Sequence, residues 1–260
     1  MSLHHCRVVL VQPTIAGNIG ATARVMRNMG LTNLVLVSPQ ASLDDRQTRQ
    51  LATHGEEILD RARVVDRLSD AVADCALVLG TSARRGGLLR RQSVVAPAEI
   101  MPRLVAELRA GQSAALVFGT EAHGLTDEEV TRCHFLITIP ADDSYPVLNL
   151  AQAVAICLYE LRKGWEVWEA DDPGQPSCER RPVAAFADQD RMFAQLEQAL
   201  RAIHFLYGPK AESLMHALRH LLGRAGLTPM EVDVLSGLAR QIRWYADHNK
   251  QLQALSENQP

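Results

Sequence analysis

Short runs of consecutive apolar residues, separated by polar turns and by stretches of helical periodicity, fill the first two thirds of the chain. Residues 7–12 (RVVLVQ), 33–37 (NLVLV), 76–80 (ALVLG), 114–118 (AALVF) and 135–139 (FLITI) are brief, and most are rich in β-branched side chains. Runs of this kind read as strands buried on both faces. Val64-Val65 adds a shorter candidate. Helices are predicted between them. Pro13 ends the first strand, Gly17 loosens a turn, Asn18 caps, and residues 19–29 form a helix closed by Gly30. Residues 44–60 are polar and helical in tendency, broken near Gly55. Smaller helices are expected over 68–75 and 97–110. Thr126 and Glu129 have capping-box spacing ahead of a short helix. Residues 148–163 form a longer helix, with Gly164 as its stop. This alternation predicts an α/β fold with a mostly parallel sheet.

Past Gly164 the pattern changes. Residues 165–182 carry Asp171-Asp172-Pro173-Gly174 and further prolines, which mark a linker. From Ala184 onward apolar positions recur at helical spacing: Phe193, Leu196, Leu200 and Ile203 make one stripe, and Leu214, Leu218, Leu221 and Leu222 another. Gly226 ends that second helix. Thr228 as N-cap, Pro229 and Glu231 open a third. The expected organisation is an α/β domain over 1–165, a linker over 166–183, an all-helical domain over 184–255 and a disordered tail over 256–260.

Composition narrows the chemistry. The chain has 260 residues, 47% of them hydrophobic, and a net charge of −3. No apolar stretch approaches the roughly 20 residues that cross a bilayer, and the N-terminus lacks a cleavage pattern. Both features place the chain in the cytoplasm, with no membrane partner. Five scattered cysteines form neither a disulfide framework nor a CxxC pair. His216 and His220 stand one helical turn apart but lack a metal-site context, so surface or packing roles are expected and no metal. A slightly acidic chain can still bind nucleic acid through local patches. Residues 81–92, TSARRGGLLRRQ, form the strongest one: Arg84, Arg85, Arg90 and Arg91 bracket Gly86-Gly87. Either a solvated loop or a phosphate-binding loop that orders on contact satisfies this pattern, and RNA contact is favoured.

The most informative stretch is 114–161. Two strands there deliver two loops, GTEAHGL and IPADDSYPVLN, to one edge of the sheet, the edge where open α/β proteins bind ligands. Each loop alone could be an ordinary turn. The order FGxExxGL, then IP, then LNLAQAV resembles the SPOUT superfamily of RNA methyltransferases, in its SpoU/TrmH-like branch. GNIGATARVMRNMGL, LVLGTSARR and the looser LRHLLGRAGLTPMEVDVLSGLARQI extend the likeness toward tRNA 2′-O-methyltransferases with a helical extension. The resemblance implies a C-terminal deep trefoil knot within the α/β domain, a homodimer, S-adenosylmethionine as cofactor, and a tRNA or rRNA ribose as substrate. It points to an anticodon-loop cytidine or uridine, at nucleotide 32 of the tRNA.

Carried over residue by residue, the resemblance assigns the cofactor pocket to Thr81, Ser82, Ala83, Gly119, Ile139, Pro146, Val147 and Leu148. Glu121 and Asn149 match positions that brace the knot and site. Asn18, with the four loop arginines, would face RNA, and Arg24 matches the catalytic arginine. Guanidinium stays protonated, so Arg24 would orient the ribose-phosphate and stabilise the developing alkoxide. One departure stands out. The family places a serine before this Leu-Asn, and here Val147 occupies that position, with Ser144 and Tyr145 nearby as substitutes. That leaves a second reading, an RNA-binding relative with weak or altered activity. A third, an ordinary nucleotide-dependent α/β enzyme, lacks a phosphate-loop signature.

Overall fold

The structure, a computed structural model, describes residues 3–83, 94–171 and 182–257. The chain divides into two compact units, residues 1–181 and 182–260.

In the first unit the strands are β1 (Cys6–Val11), β2 (Asn33–Val37), β3 (Arg63–Val65), β4 (Cys75–Thr81), β5 (Val94–Val95), β6 (Ser113–Phe118) and β7 (Phe135–Ile137). They form one seven-stranded sheet in the order β3-β2-β1-β6-β4-β7-β5. All six pairings are parallel. The apolar runs are continuous because helices cover both faces: every residue of β1 is buried, as are all but the ends of β4 and β6. The chain does not lay its strands down in order. It reaches the edge at β5, then returns to insert β6 between β1 and β4 and β7 between β4 and β5.

The helices of this unit are α1 (Ala16–Met29), α2 (Arg46–Ala52), α3 (Glu56–Asp60), α4 (Leu68–Val72), α5 (Pro97–Arg109), α6 (Asp127–Thr131) and α7 (Leu150–Asp171). Several differ from the sequence expectation. α1 starts three residues early, so Gly17 and Asn18 lie within the helix instead of forming a turn and a cap. Ile15 holds the N-cap position without a side-chain bond. Gly20 is needed because α1 runs tight against α2: a Cβ there would lie 2.1 Å from the Thr48 carbonyl oxygen. Cys75 belongs to β4, not to the preceding helix. The break near Gly55 and the Thr126–Glu129 capping box occur as expected.

The largest difference is α7. It begins at Leu150 and runs through Gly164 to Asp171, across the start of the expected linker. Gly164 does not stop it. A Cβ there would make an ordinary contact with Val105 at 3.5 Å, so the position packs on α5 without requiring glycine. Trp165 is buried, Trp168 packs edge-on to it, and the Arg109 guanidinium lies 3.2 Å from the centre of the Trp168 ring. Burying the Trp165 indole and packing the half-buried Trp168 against it outweighs the roughly 1 kcal/mol that a helical glycine costs.

The second unit holds α8 (Phe186–Ala202), α9 (Ala211–Gly223) and α10 (Pro229–Glu257). Its core gathers Met192, Phe193, Met215, Leu227 and Val232. Thr228 and Glu231 exchange the expected capping bonds. α10 continues as helix to Glu257, into the region expected to be a disordered tail. His216 and His220 are buried with rings 4.2 Å apart, a packing pair and not a surface one.

Candidate active site

Thr81, Phe118 and Ile137 close β4, β6 and β7, three neighbouring parallel strands, at their carboxyl ends. The loops leaving those ends enclose a cavity of about 200 Å³. Its lining includes all eight residues assigned to the cofactor: Thr81, Ser82 and Ala83 from the first loop, Gly119 from the second, and Ile139, Pro146, Val147 and Leu148 from the third. Crevices at carboxyl ends suit ligands because loops there can be shaped without disturbing the ladder.

Backbone geometry builds this cavity. After β6 the chain turns tightly at residues 120–124, where Thr120 and Gly124 exchange backbone hydrogen bonds of 3.2 and 2.8 Å. Gly119 lies under that turn, and a Cβ on it would meet the Gly124 carbonyl carbon at 2.1 Å. Glycine is therefore required for the turn to fold back. On the neighbouring strand, Ser82 N–H donates to the Ile137 carbonyl and the Thr138 hydroxyl donates to the Ser82 carbonyl at 2.8 Å. These bonds tie the first loop to the third.

A second network joins the cavity to α1. The Glu121 carboxylate accepts from the Thr14 N–H and hydroxyl, the Ile15 N–H and the Asn18 amide, at 2.8–3.1 Å. It thus supplies acceptors for the start of α1, the role that sequence alone gives to Asn18. Burial pushes the Glu121 carboxyl up, but the hydrogen bonds from Asn18 and Thr14 outweigh it and hold the group below its ordinary value. Asn18, 6% exposed, accepts from the Asn149 amide at 2.9 Å. Asn149 in turn accepts from Ala151 N–H and caps α7. Glu121, Asn18 and Asn149 thus link the second loop, α1 and α7.

Other assigned residues stand apart. Arg24 is exposed on α1, roughly 9 Å along the axis from Asn18, and does not line the cavity. Ser144 donates to Asp142 and Tyr145 is 78% exposed, and neither lines the cavity. Neither hydroxyl lies on the cavity wall beside Val147. Arg84, Arg85, Arg90 and Arg91 lie outside the described residues. Sequence reading missed His123, which lines the cavity beside Glu121; its place inside the GTEAHGL loop was the available signal.

The cavity fits a cofactor held mostly through backbone and apolar contacts. Loops with Gly and Pro expose their amide groups, and Phe118, Ile137, Ile139, Leu150 and Ala153 provide apolar surface. Among the described residues no cluster of metal-ligating side chains forms, and no helix is long and apolar enough to cross a membrane.

Comparison with known proteins agrees with this geometry. The SpoU rRNA Methylase family matches residues 5–159, and the TrmJ C-terminal domain of tRNA methyltransferases matches residues 187–254. The chain is 38% identical over 248 residues to the tRNA (cytidine/uridine-2′-O-)-methyltransferase TrmJ of Escherichia coli K12, covering 95% of this chain and 99% of that protein. It also resembles the crystal structure of TrmJ from Z. mobilis ZM4, with a TM-score of 0.75 and 29% identity, covering 91% of this chain and 98% of that one. A probable methylase family protein from Haemophilus influenzae Rd KW20 matches with a TM-score of 0.61 and 34% identity, covering 95% and 99% of the two chains. The carboxyl-edge cavity, the order of loops around it and the match along nearly the whole length agree: the chain belongs to the SpoU methylase family.

Proposed function

We propose that this protein methylates the 2′-hydroxyl of a tRNA ribose, an anticodon-loop cytidine or uridine, using S-adenosylmethionine. The observation that carries the reading is the convergence of all eight assigned cofactor residues on one cavity. Near-complete coverage of tRNA 2′-O-methyltransferase relatives supports tRNA as the substrate. When bound, the cofactor supplies an electrophilic methyl group.

The chain's own residues position and stabilise. Loops 81–83, 119–124 and 139–148 hold the cofactor through backbone groups, with Gly119 allowing the close turn. Glu121, Asn18 and Asn149 keep α1 in register with the cavity, and Asn18 does this from a buried position. Holding the reacting groups in line and stabilising the developing alkoxide are what a protein can contribute most. Arg24 provides a fixed positive charge for the ribose-phosphate. In this reading the loop arginines at 84, 85, 90 and 91 add phosphate contacts. The insertion of β6 and β7 between earlier strands supports the knotted path that the family resemblance implies. Exposed Tyr159 and Val167 on α7 suit a homodimer.

The test is methyl transfer from labelled S-adenosylmethionine to unmodified tRNA, with ribose methylation mapped across the anticodon loop. Arg24→Ala should lower turnover about 100-fold while leaving cofactor affinity within about twofold. Full turnover in that variant would remove Arg24 from the chemistry. A parent that binds the cofactor and tRNA but transfers nothing would favour the weakened-relative reading motivated by Val147.

A further inference from the structure

Methylating a hydroxyl releases a proton. A bond forms between the ribose 2′-oxygen and the methyl carbon. The bond from that carbon to sulfur breaks, its electron pair stays on sulfur, and the hydroxyl proton must pass to a base. Arg24 cannot take it, because a guanidinium is already protonated. The described residues lining the cavity offer few alternatives. The Thr81 hydroxyl donates to the Val117 carbonyl, and the Thr120 hydroxyl accepts from His123 N–H. Neither is basic. Glu121 is the one carboxylate, and its oxygens already take four donors, which hold it below its ordinary value. A carboxylate so engaged is a poor proton acceptor.

His123 is different. It lines the same cavity, is exposed, and sits in the tight turn closed by the Thr120–Gly124 backbone pair. Its own N–H, 3.2 Å from the Thr120 hydroxyl, anchors the backbone beneath it. No hydrogen bond among the described residues engages the imidazole. Glu121 is the other titratable group on the cavity lining, and its carboxylate is bound toward α1. The remaining carboxylates of the rim loops, Asp142 and Asp143, lie outside the lining. Imidazole changes charge near neutral pH and is the commonest biological general base.

We propose that His123 is the general base that accepts the 2′-hydroxyl proton. The inference rests on the methyltransferase reading above and adds a catalytic residue to it. An anchored backbone with an exposed, unengaged ring is what the role needs, because such a ring can turn onto an incoming ribose.

The experiment uses the full-length protein and the variants His123→Gln and His123→Ala. Single-turnover methyl transfer to tRNA is followed from about pH 5.5 to 9, beside cofactor affinity by calorimetry. The parent rate should rise with pH and level off once the ring is deprotonated. His123→Gln should bind cofactor like the parent and transfer about 100-fold more slowly near neutrality, with the rate climbing through the alkaline range. Added imidazole should partly rescue His123→Ala. A readout independent of turnover is the NMR titration of the His123 ring with S-adenosylhomocysteine bound. Adding an anticodon stem-loop should shift its midpoint, as expected for a ring that contacts the ribose. Variants with the parent's rate and pH profile, or a ring whose titration ignores the stem-loop, would overturn the assignment and leave the methyltransferase reading standing. A parent inactive on every tRNA would overturn both.

Discussion

The two ends of the central sheet handle buried polar groups in opposite ways. At the amino end, Arg7 on β1 is 8% exposed and donates to both Asp74 oxygens at 2.6 and 2.7 Å and to the Ala71 carbonyl. The Arg7 guanidinium holds Asp74 below the ordinary carboxylate range, and Asp74 raises Arg7 in return. Nearby, the His134 ring nitrogen Nδ1 accepts from Val78 N–H at 2.9 Å, just ahead of the pairing of β4 with β7. Burial pushes the Cys75 thiol up to about 12 and raises Cys6 further. Apart from the Arg7 Nε, which is buried without a partner, charge and polarity there close on themselves. At the carboxyl end, Glu121 and Asn149 are equally well bonded, but their partners belong to three separate segments and a cavity stays open beside them. Perturbed ionisation alone therefore does not mark a site. A cavity next to groups that join different segments does.

The largest expected effect tests the open end. In Gly119→Ala the new methyl has no room against the Gly124 backbone, so the 120–124 turn must move. Cofactor affinity should fall at least about 100-fold, roughly 2.8 kcal/mol, while the sheet beneath keeps its fold. Calorimetric binding and circular dichroism on the same sample check both halves. Affinity within a few-fold of the parent would mean that the turn does not shape the pocket.

The closed end should show the reverse, lost stability with intact function. Asp74→Ala leaves a mostly buried guanidinium with the Ala71 carbonyl as its remaining oxygen partner. Asp74 itself is 59% exposed at its side chain, which weakens the pair. The expected cost is about 2 kcal/mol, below the range for fully buried pairs, with methyl transfer per folded molecule unchanged. The pH dependence has a definite sign. A carboxyl lowered in the folded state contributes stability above its unfolded value, about 4, and loses it as pH falls through the lower folded value. Acid should therefore destabilise the parent more steeply than Asp74→Asn. Denaturant midpoints measured between about pH 3 and 7 decide it.

What the sequence makes legible follows the same division. Strands buried on both faces declare themselves as unbroken apolar runs, so β1, β2, β4, β6 and β7 are visible in the residue order alone. β5 is two residues long and carries too little pattern to be seen. Strand order is also invisible, because inserting β6 and β7 between earlier strands leaves no trace in periodicity. The start of α1 is misread for a specific reason. Asn18 looks like a cap, but the acceptors come from Glu121, more than a hundred residues away. Gly164 looks like a stop, but its neighbours are two indoles that keep α7 helical. Local rules fail here where a distant segment supplies what the local one lacks. The pocket residues are identifiable through motif order. Arg24, whose place within one chain lies off the cavity, is identifiable only by resemblance.

The smallest expected effect falls on Val147 and tests how far the open end tolerates change. The side chain is 52% exposed and lines the cavity, so its isopropyl group contributes little to the core. Val147→Ser should alter stability by no more than about 0.5 kcal/mol, as surface changes do. Cofactor affinity should also hold, since the neighbouring contacts are proposed to run through the backbone. What the substitution adds is one hydroxyl at the cavity wall, where Ser144 is occupied by Asp142 and Tyr145 lies outside. If that hydroxyl helps to seat the ribose, KM for tRNA falls or turnover rises by about two- to tenfold, worth up to about 1.4 kcal/mol of transition-state binding. If Arg24 and the loop network already orient the ribose fully, the two enzymes are equal within error. Steady-state kinetics on one tRNA transcript separate these outcomes. A Val147→Ser enzyme slower than the parent would show that the valine's bulk is itself part of the substrate fit.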